Sequence, residues 1–336
     1  MGQELDIDCD LAIDRLVEAL RARVAQTGGE GLLLGLSGGL DSSVLAALAV
    51  RALGPSRVHV AYLYDRDSDP LIGAHARDVA EGLGLRLERR DITAAMRAQG
   101  IYKPLFIRLL SLWAPLNPLI QRSYALLTGE SAFKATLRVG AGETLRPWPR
   151  RALFAATIAH VDRGFTARHV FRRTLLEQRA AEERLTLVGA ANRSELEVGW
   201  FVKGGIDDLP FQPMTGLFKT QVRQLAFALG LPDRVCRQTP SPDMAKGITD
   251  EIGIGHLYDV VDLIIDADDR GLPDETLERA GIPAAEIADV RALRRLSGWK
   301  RAGMQEPPPV SGRFDGPLRR GGGTGPRAAA GLATPA

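Results

Sequence analysis

The stretch Gly31–Leu53, GLLLGLSGGLDSSVLAALAVRAL, constrains the fold more than any other part of the chain. It opens on an apolar run, Leu32-Leu33-Leu34, short enough for a buried strand. It closes on Val44, Leu45, Leu48, Ala49 and Ala52, spaced to make one face of a helix. Between them stands Ser37-Gly38-Gly39-Leu40-Asp41-Ser42-Ser43. A glycine pair reaches backbone angles closed to bulkier residues, so N–H groups and hydroxyls can converge on an anion. The helix that follows offers free N–H groups and a positive dipole end to the same point. Strand, glycine turn and helix therefore read as a phosphate cradle. An acidic residue and three hydroxyls set it apart from an ordinary capped βα turn. It is not the Walker type, because no Gly-Lys-Ser/Thr follows the glycines.

The rest of the chain alternates in the same way. A helix is expected over about Leu11–Thr27, a strand at Val58–Leu63, a helix over Asp69–Leu83 and a short strand at Leu85–Leu87. A further strand falls at Leu185–Val188, with the turn Gly189–Glu195 at its carboxyl end. Helices follow over Thr215–Leu229 and from Thr249-Asp250-Glu251, the latter with Ile254, Leu257, Val260, Val261, Ile264 and Ile265 on one face. This pattern implies an α/β fold, a doubly wound parallel sheet with helices on both faces and ligand at the carboxyl ends of the strands.

Two segments depart from that rhythm. Ile101–Arg151 is apolar and aromatic, broken by Pro104, Pro115 and Pro118, and reads as a helical insertion packing on the domain or on a partner subunit. A lid over an apolar substrate and a membrane-surface patch are the competing readings; its end, Leu137–Arg151, looks like loop. A helix over about Thr166–Arg184 carries Arg168, Arg172, Arg173, Arg179 and Arg184, as a solvated basic face or as phosphate-neutralising groups. One domain is expected over residues 1–315, with the proline- and glycine-rich tail 316–336 disordered.

Composition excludes some classes. An apolar fraction of 45%, a charged fraction of 25% and a net charge of +2 describe a globular chain with no global demand for nucleic acid. Two cysteines, Cys9 and Cys236, supply neither a disulfide framework nor a metal cluster. The acidic N-terminus lacks signal-peptide character, and no run reaches membrane-spanning length. A cytoplasmic protein without an integral membrane segment is expected.

The loop resembles the SGGxDS pyrophosphate loop of the ATP pyrophosphatases, proteins of the adenine nucleotide alpha hydrolase type. Further motifs narrow this. Gly189–Glu195, Lys203-Gly204-Gly205, Pro213–Val222, Thr249-Asp250-Glu251 and, late in the chain, Trp299-Lys300-Arg301 follow in the order and approximate spacing of NAD synthases. The similarity covers roughly Leu11–Asp91 and Phe165–Pro309 and is to the ammonia-dependent synthetase domain.

That resemblance implies an ATP- and Mg²⁺-dependent ligase that adenylates the carboxylate of deamido-NAD and lets ammonia displace AMP. It implies that Ser37, Gly38, Gly39, Ser42 and Ser43 hold pyrophosphate, that Asp41 and Glu195 hold Mg²⁺, and that Lys219 and Ser241 contact phosphate. Asp41 and Lys219 are then the catalytic pair. Asn192, Lys203, Asp207, Asp208, Arg172 and Arg173 fall on the substrate side, and a homodimer is expected. The departures lie on that side too: Ala190 stands where the family has Thr, and Gly204-Gly205-Ile206 where it has Tyr-Gly-Asp. A family paralogue amidating another carboxylic acid is therefore the alternative, followed by a tRNA-modifying enzyme with the same loop. No glutaminase domain fits before the loop or in the tail, so free ammonia, or ammonia from a separate protein, is expected.

Overall fold

The computed structural model describes residues 5–112, 117–241 and 249–303. The first helix, α1 (Cys9–Thr27), is capped by the Asp8 side chain and stopped by Gly28 in the left-handed region. Then come β1 (Leu32–Gly35), α2 (Leu40–Leu53), β2 (Val58–Tyr64), α3 (Pro70–Gly82), β3 (Leu87–Asp91) and α4 (Thr93–Ala98). The insertion supplies α5 (Leu105–Leu112), α6 (Asn117–Thr128), α7 (Ala132–Gly140) and α8 (Trp148–Ala156). The long α9 (Ile158–Glu182) leads back to β4 (Thr186–Leu187). Beyond it lie α10 (Arg193–Val198), α11 (Lys219–Ala228), α12 (Asp233–Cys236), α13 (Asp250–Ile254), α14 (Tyr258–Asp269), α15 (Asp274–Arg279), α16 (Ala284–Leu296) and α17 (Gly298–Arg301).

The strands form one parallel sheet in the order β3-β2-β1-β4. Its two faces bury alternate residues of each strand. Leu32, Leu34, Val60 and Tyr62 pack with α1, α2, α3 and α11, while Leu33, Ala61 and Leu63 pack with Met96 of α4 and with Leu176 and Ala180 of α9. The doubly wound arrangement is thus present. Leu16 and Leu20 of α1 are fully buried, and each such side chain stabilises the fold by roughly 1.5–3 kcal/mol. The chain runs outward from β1 through β2 to β3 and then returns to β4 on the other side. That reversal of strand order opens a crevice at the carboxyl end of β1.

In several places the structure departs from the sequence pattern. The third strand is β3, Leu87–Asp91, rather than Leu85–Leu87: it is an edge strand whose exposed Glu88, Arg89 and Arg90 leave no apolar period to read. Leu137–Arg151 is not all loop, because α7 runs to Gly140 and α8 begins at Trp148. The helix after Thr249 is two helices, broken where Gly255 takes a φ of +94°. The arginine-rich helix begins at Ile158, well before Thr166, and its basic face is not uniformly solvated: Arg168 and Arg172 are buried. The insertion has a small core of its own, Tyr124, Ala135, Leu145, Phe154 and Ile158. No helix among the described residues is long and apolar enough to cross a membrane. The tail 316–336 lies outside the described residues.

Candidate active site

At the end of β1 the chain turns through the glycine loop. Gly38 has a φ of +88°, and a Cβ there would sit 2.4 Å from the carbonyl oxygen of Ile72 and 2.5 Å from the Ala76 nitrogen. Only glycine fits that position. The loop's hydroxyls shape it: Ser37 Oγ accepts from the Gly39 N–H at 3.2 Å, and Ser42 Oγ accepts from the Ser37 N–H at 3.2 Å. Ser43 Oγ donates to the Gly39 carbonyl at 2.7 Å. Gly39 caps α2 with no side-chain bond, so the helix directs its N-terminal N–H groups and dipole into the crevice.

Beside the loop sits a buried ionic cluster. Lys219, at the start of α11 and 2% exposed, places Nζ 2.5 Å from Asp41 Oδ2 and 2.9 Å from Glu195 Oε1. Asn192 caps α10 by accepting from the Glu195 N–H at 3.0 Å, and donates to Asp41 Oδ1 at 2.8 Å. One residue thereby ties the Asp41 carboxylate to the backbone of the helix that carries Glu195. Asp262 of α14 anchors the other side, accepting from the N–H and hydroxyl of Thr220 at 3.0 and 2.8 Å and from the Ser194 hydroxyl. Burial pushes Asp262 up to about 6.

The charges do not balance in pairs. Burial pulls Lys219 down, but Asp41 and Glu195 outweigh it and hold the ammonium charged. Burial pushes Glu195 up to about 8, against Lys219 and with Asp41 and Asp250 reinforcing the shift. The cluster sets one ammonium among three carboxyl groups, and burial pushes Asp250 up as well. Hard carboxylate oxygens in excess of the one ammonium fit Mg²⁺, whose charge would favour their ionised forms. Among the described residues no group of three potential ligands is assembled for a metal, so Asp41 and Glu195 would hold the ion together with phosphate oxygens of a bound nucleotide.

Loop and cluster open into one cavity of about 990 Å³. Ser37, Gly39, Asp41, Ser42, Glu195, Lys219 and Ser241 line it, as do Arg172 and Asp207. Gly38 and Ser43 stand behind the wall and shape the loop, and Asn192 acts through Asp41. Lys203, Arg173 and Asp208 are not brought to the cavity. Lys203 Nζ donates to the Ala302 carbonyl at 3.2 Å, and Arg173 donates to the Asp208 carbonyl at 2.8 Å.

Sequence reasoning missed two contributors, Asp65 and Asp262, and gave Lys300 of the Trp299-Lys300-Arg301 motif no role in the site. Asp65 accepts from Tyr102 at 2.8 Å and from Arg168 at 2.5 Å, tying β2 to the root of the insertion and to α9. Burial raises the Asp65 carboxyl, but Arg168 overcomes it and the net shift is downward. Asp262 interrupts the apolar run Val260, Val261, Leu263, Ile264 and Ile265, and that interruption was its only signal. Lys300 donates to the carbonyls of Gly199 and Phe201 at 2.8 and 2.5 Å, while burial pushes it down to about 8.

A glycine loop at the switch point of a parallel sheet, facing a lysine-bridged carboxylate pair, defines a nucleotide-phosphate site of the ATP-dependent ligase kind. The family model described as NAD synthase matches residues 12–103 and 155–303. The chain belongs to the NAD synthase family. The unmatched residues between those two blocks are nearly the insertion. A relative named NH(3)-dependent NAD(+) synthetase from Hyperthermus butylicus is 32% identical over 314 residues, covering 93% of this chain and 95% of that one. One of the same name from Rhizobium meliloti is 30% identical over 320 residues, covering 91% and 94%. Among solved structures, an NMN synthetase from Francisella tularensis superposes with a TM-score of 0.62 at 21% identity, covering 90% of this chain and 99% of that one. An NH3-dependent NAD synthetase from Campylobacter jejuni gives 0.59 at 19% identity, covering 89% and 99%. At those identities the structural likeness speaks for the fold.

Proposed function

We propose that the protein is an AMP-forming amide ligase that adenylates a carboxylate with ATP and Mg²⁺ and amidates it with ammonia. The observation that carries this is the single cavity in which the glycine loop, the Asp41–Lys219–Glu195 cluster and Arg172 all meet. Pyrophosphate would leave into the loop and the head of α2. Mg²⁺ on Asp41 and Glu195 would supply charge neutralisation at the phosphates. Lys219 orients both carboxylates and adds a positive charge to the same wall. Arg172 receives the acid from the opposite side. No nucleophilic side chain is required, since the carboxylate and then ammonia attack.

The names of the relatives support deamido-NAD as the acid and NAD as the product. Ala190 and Ile206, both on the cavity wall, support a different acid for the same reaction. The test is release of AMP and pyrophosphate from ATP with Mg²⁺ and ammonium, with and without added acid. Acid-dependent release that Asp41→Ala abolishes supports the ligase; cleavage to ADP and phosphate sinks it.

A further inference from the structure

The glycine loop is largely occupied with itself. The Gly39 N–H donates to Ser37 Oγ and the Ser37 N–H to Ser42 Oγ. The Ser42 and Ser43 hydroxyls both donate to the Gly39 carbonyl, at 3.1 and 2.7 Å. With the Ser42 hydrogen spent there, Ser37 is the donor in its 3.0 Å bond to Ser42 Oγ. The cation beside the loop, Lys219, is held by Asp41 and Glu195. A leaving pyrophosphate therefore gains from any further donor on this wall.

Gln238 is such a donor. It follows α12 and lines the cavity with Pro240 and Ser241. The main chain is fixed on both sides of its side chain. The Gln238 N–H donates to the Val235 carbonyl at 3.3 Å, and the Pro240 carbonyl accepts from the Asp250 N–H at 2.9 Å. The side chain is fixed as well, with Oε1 2.9 Å from Nδ1 of His75. A carboxamide oxygen only accepts, so His75 carries a proton on Nδ1. That bond uses the amide oxygen and leaves Nε2 without a partner among the described residues. His75 is 8% exposed and belongs to α3, whose Ile72 and Ala76 lie against Gly38. The Gln238 amide is thus tied to the helix that backs the loop.

Resting on the ligase reading above, we propose that Gln238 binds the leaving pyrophosphate and that His75 is its positioning residue. Gln238 Nε2 donates to a pyrophosphate oxygen. His75 holds the amide in the orientation that turns nitrogen, rather than oxygen, towards an anion. As the acid's carboxylate oxygen bonds to the α-phosphorus, the bond to the oxygen bridging the α- and β-phosphates breaks. Its electron pair stays on the leaving pyrophosphate, whose growing charge the amide stabilises.

The full chain is titrated by calorimetry with magnesium pyrophosphate and, separately, with AMP. Turnover is followed with ATP, Mg²⁺, ammonium and deamido-NAD. Gln238→Met keeps the length of the side chain and removes its polar end. It should weaken pyrophosphate binding about tenfold and leave AMP binding within about twofold. Gln238→Glu keeps an acceptor for His75 but replaces the donor with a negative charge, and should weaken pyrophosphate binding further. His75→Phe frees the amide and should cost about threefold, with no further loss when added to Gln238→Met. Pyrophosphate binding unchanged in Gln238→Met, or AMP binding lost in step with it, overturns the proposal while the ligase reading stands. Additive losses in the double variant overturn the part assigned to His75. ADP in place of AMP as the product of the unaltered chain overturns the ligase reading itself.

Discussion

The two halves of the cavity hold their functional groups by opposite means. The nucleotide half relies on charge and backbone: a glycine loop, a helix terminus and one lysine bridging carboxylates contributed by two helices. The other half is walled largely by the insertion and α9, with apolar side chains such as Phe106, Ile107 and Leu153 and with Arg168 and Asp65 as its tether. The first arrangement tolerates little change, because its charges are buried and mutually dependent. The second can alter its walls without disturbing phosphate binding. A family that keeps one reaction and varies its acid would vary the second half.

The largest effect should come from Lys219→Met. It strands Asp41 and Glu195 without their shared cation, and loss of one partner from a buried pair costs about 3–5 kcal/mol. Chemical denaturation should show that loss, and acid-dependent AMP formation should fall at least about a thousandfold. If activity survives, the nucleotide half does not depend on this cluster. Arg168→Met should come next. It leaves the buried Asp65 carboxylate with the Tyr102 hydroxyl and the Asp67 N–H but no cation, at a cost of about 3 kcal/mol. Limited proteolysis should then cut within the insertion first while ATP binding changes little. Cleavage spread evenly over the chain would mean that the two halves are not separable.

The smallest effect lies away from the cavity. His256 is held between Glu286 at 2.9 Å and Asp289 at 3.0 Å. Burial pulls its pKa down, but the two carboxylates outweigh burial and the net shift is upward. A raised histidine contributes stability that is complete below its unfolded value of about 6.5 and fades as pH rises through the folded value. Wild type should therefore exceed His256→Gln by under about 1 kcal/mol near pH 6, after allowance for solvent screening. The gap should close in alkaline buffer. A gap independent of pH would assign His256 a packing role only.

Much of the nucleotide half was legible in the chain itself. The glycine loop, Asp41 and the turn carrying Glu195 sit at strand ends, where local periodicity places them. β3 was misplaced because an edge strand with charged residues has no apolar period, and the split at Gly255 was hidden by apolar spacing that continues across it. Lys203, Asp208 and Arg173 stood close in sequence to matched motifs, yet their side chains turn to neighbouring backbone and to one another rather than to the cavity.

The sequence by itself determined the strand–loop–helix unit, the parallel α/β plan and the chemical types available for phosphate and metal, because these follow from contacts between near neighbours. Only the tertiary structure decided which of them meet. Lys219 reaches Asp41 across 178 positions, and Arg168 reaches Asp65 across 103. No local pattern encodes such pairs. They exist because packing both faces of the sheet brings distant helix ends to one crevice, where a buried charge is stable only beside its opposite.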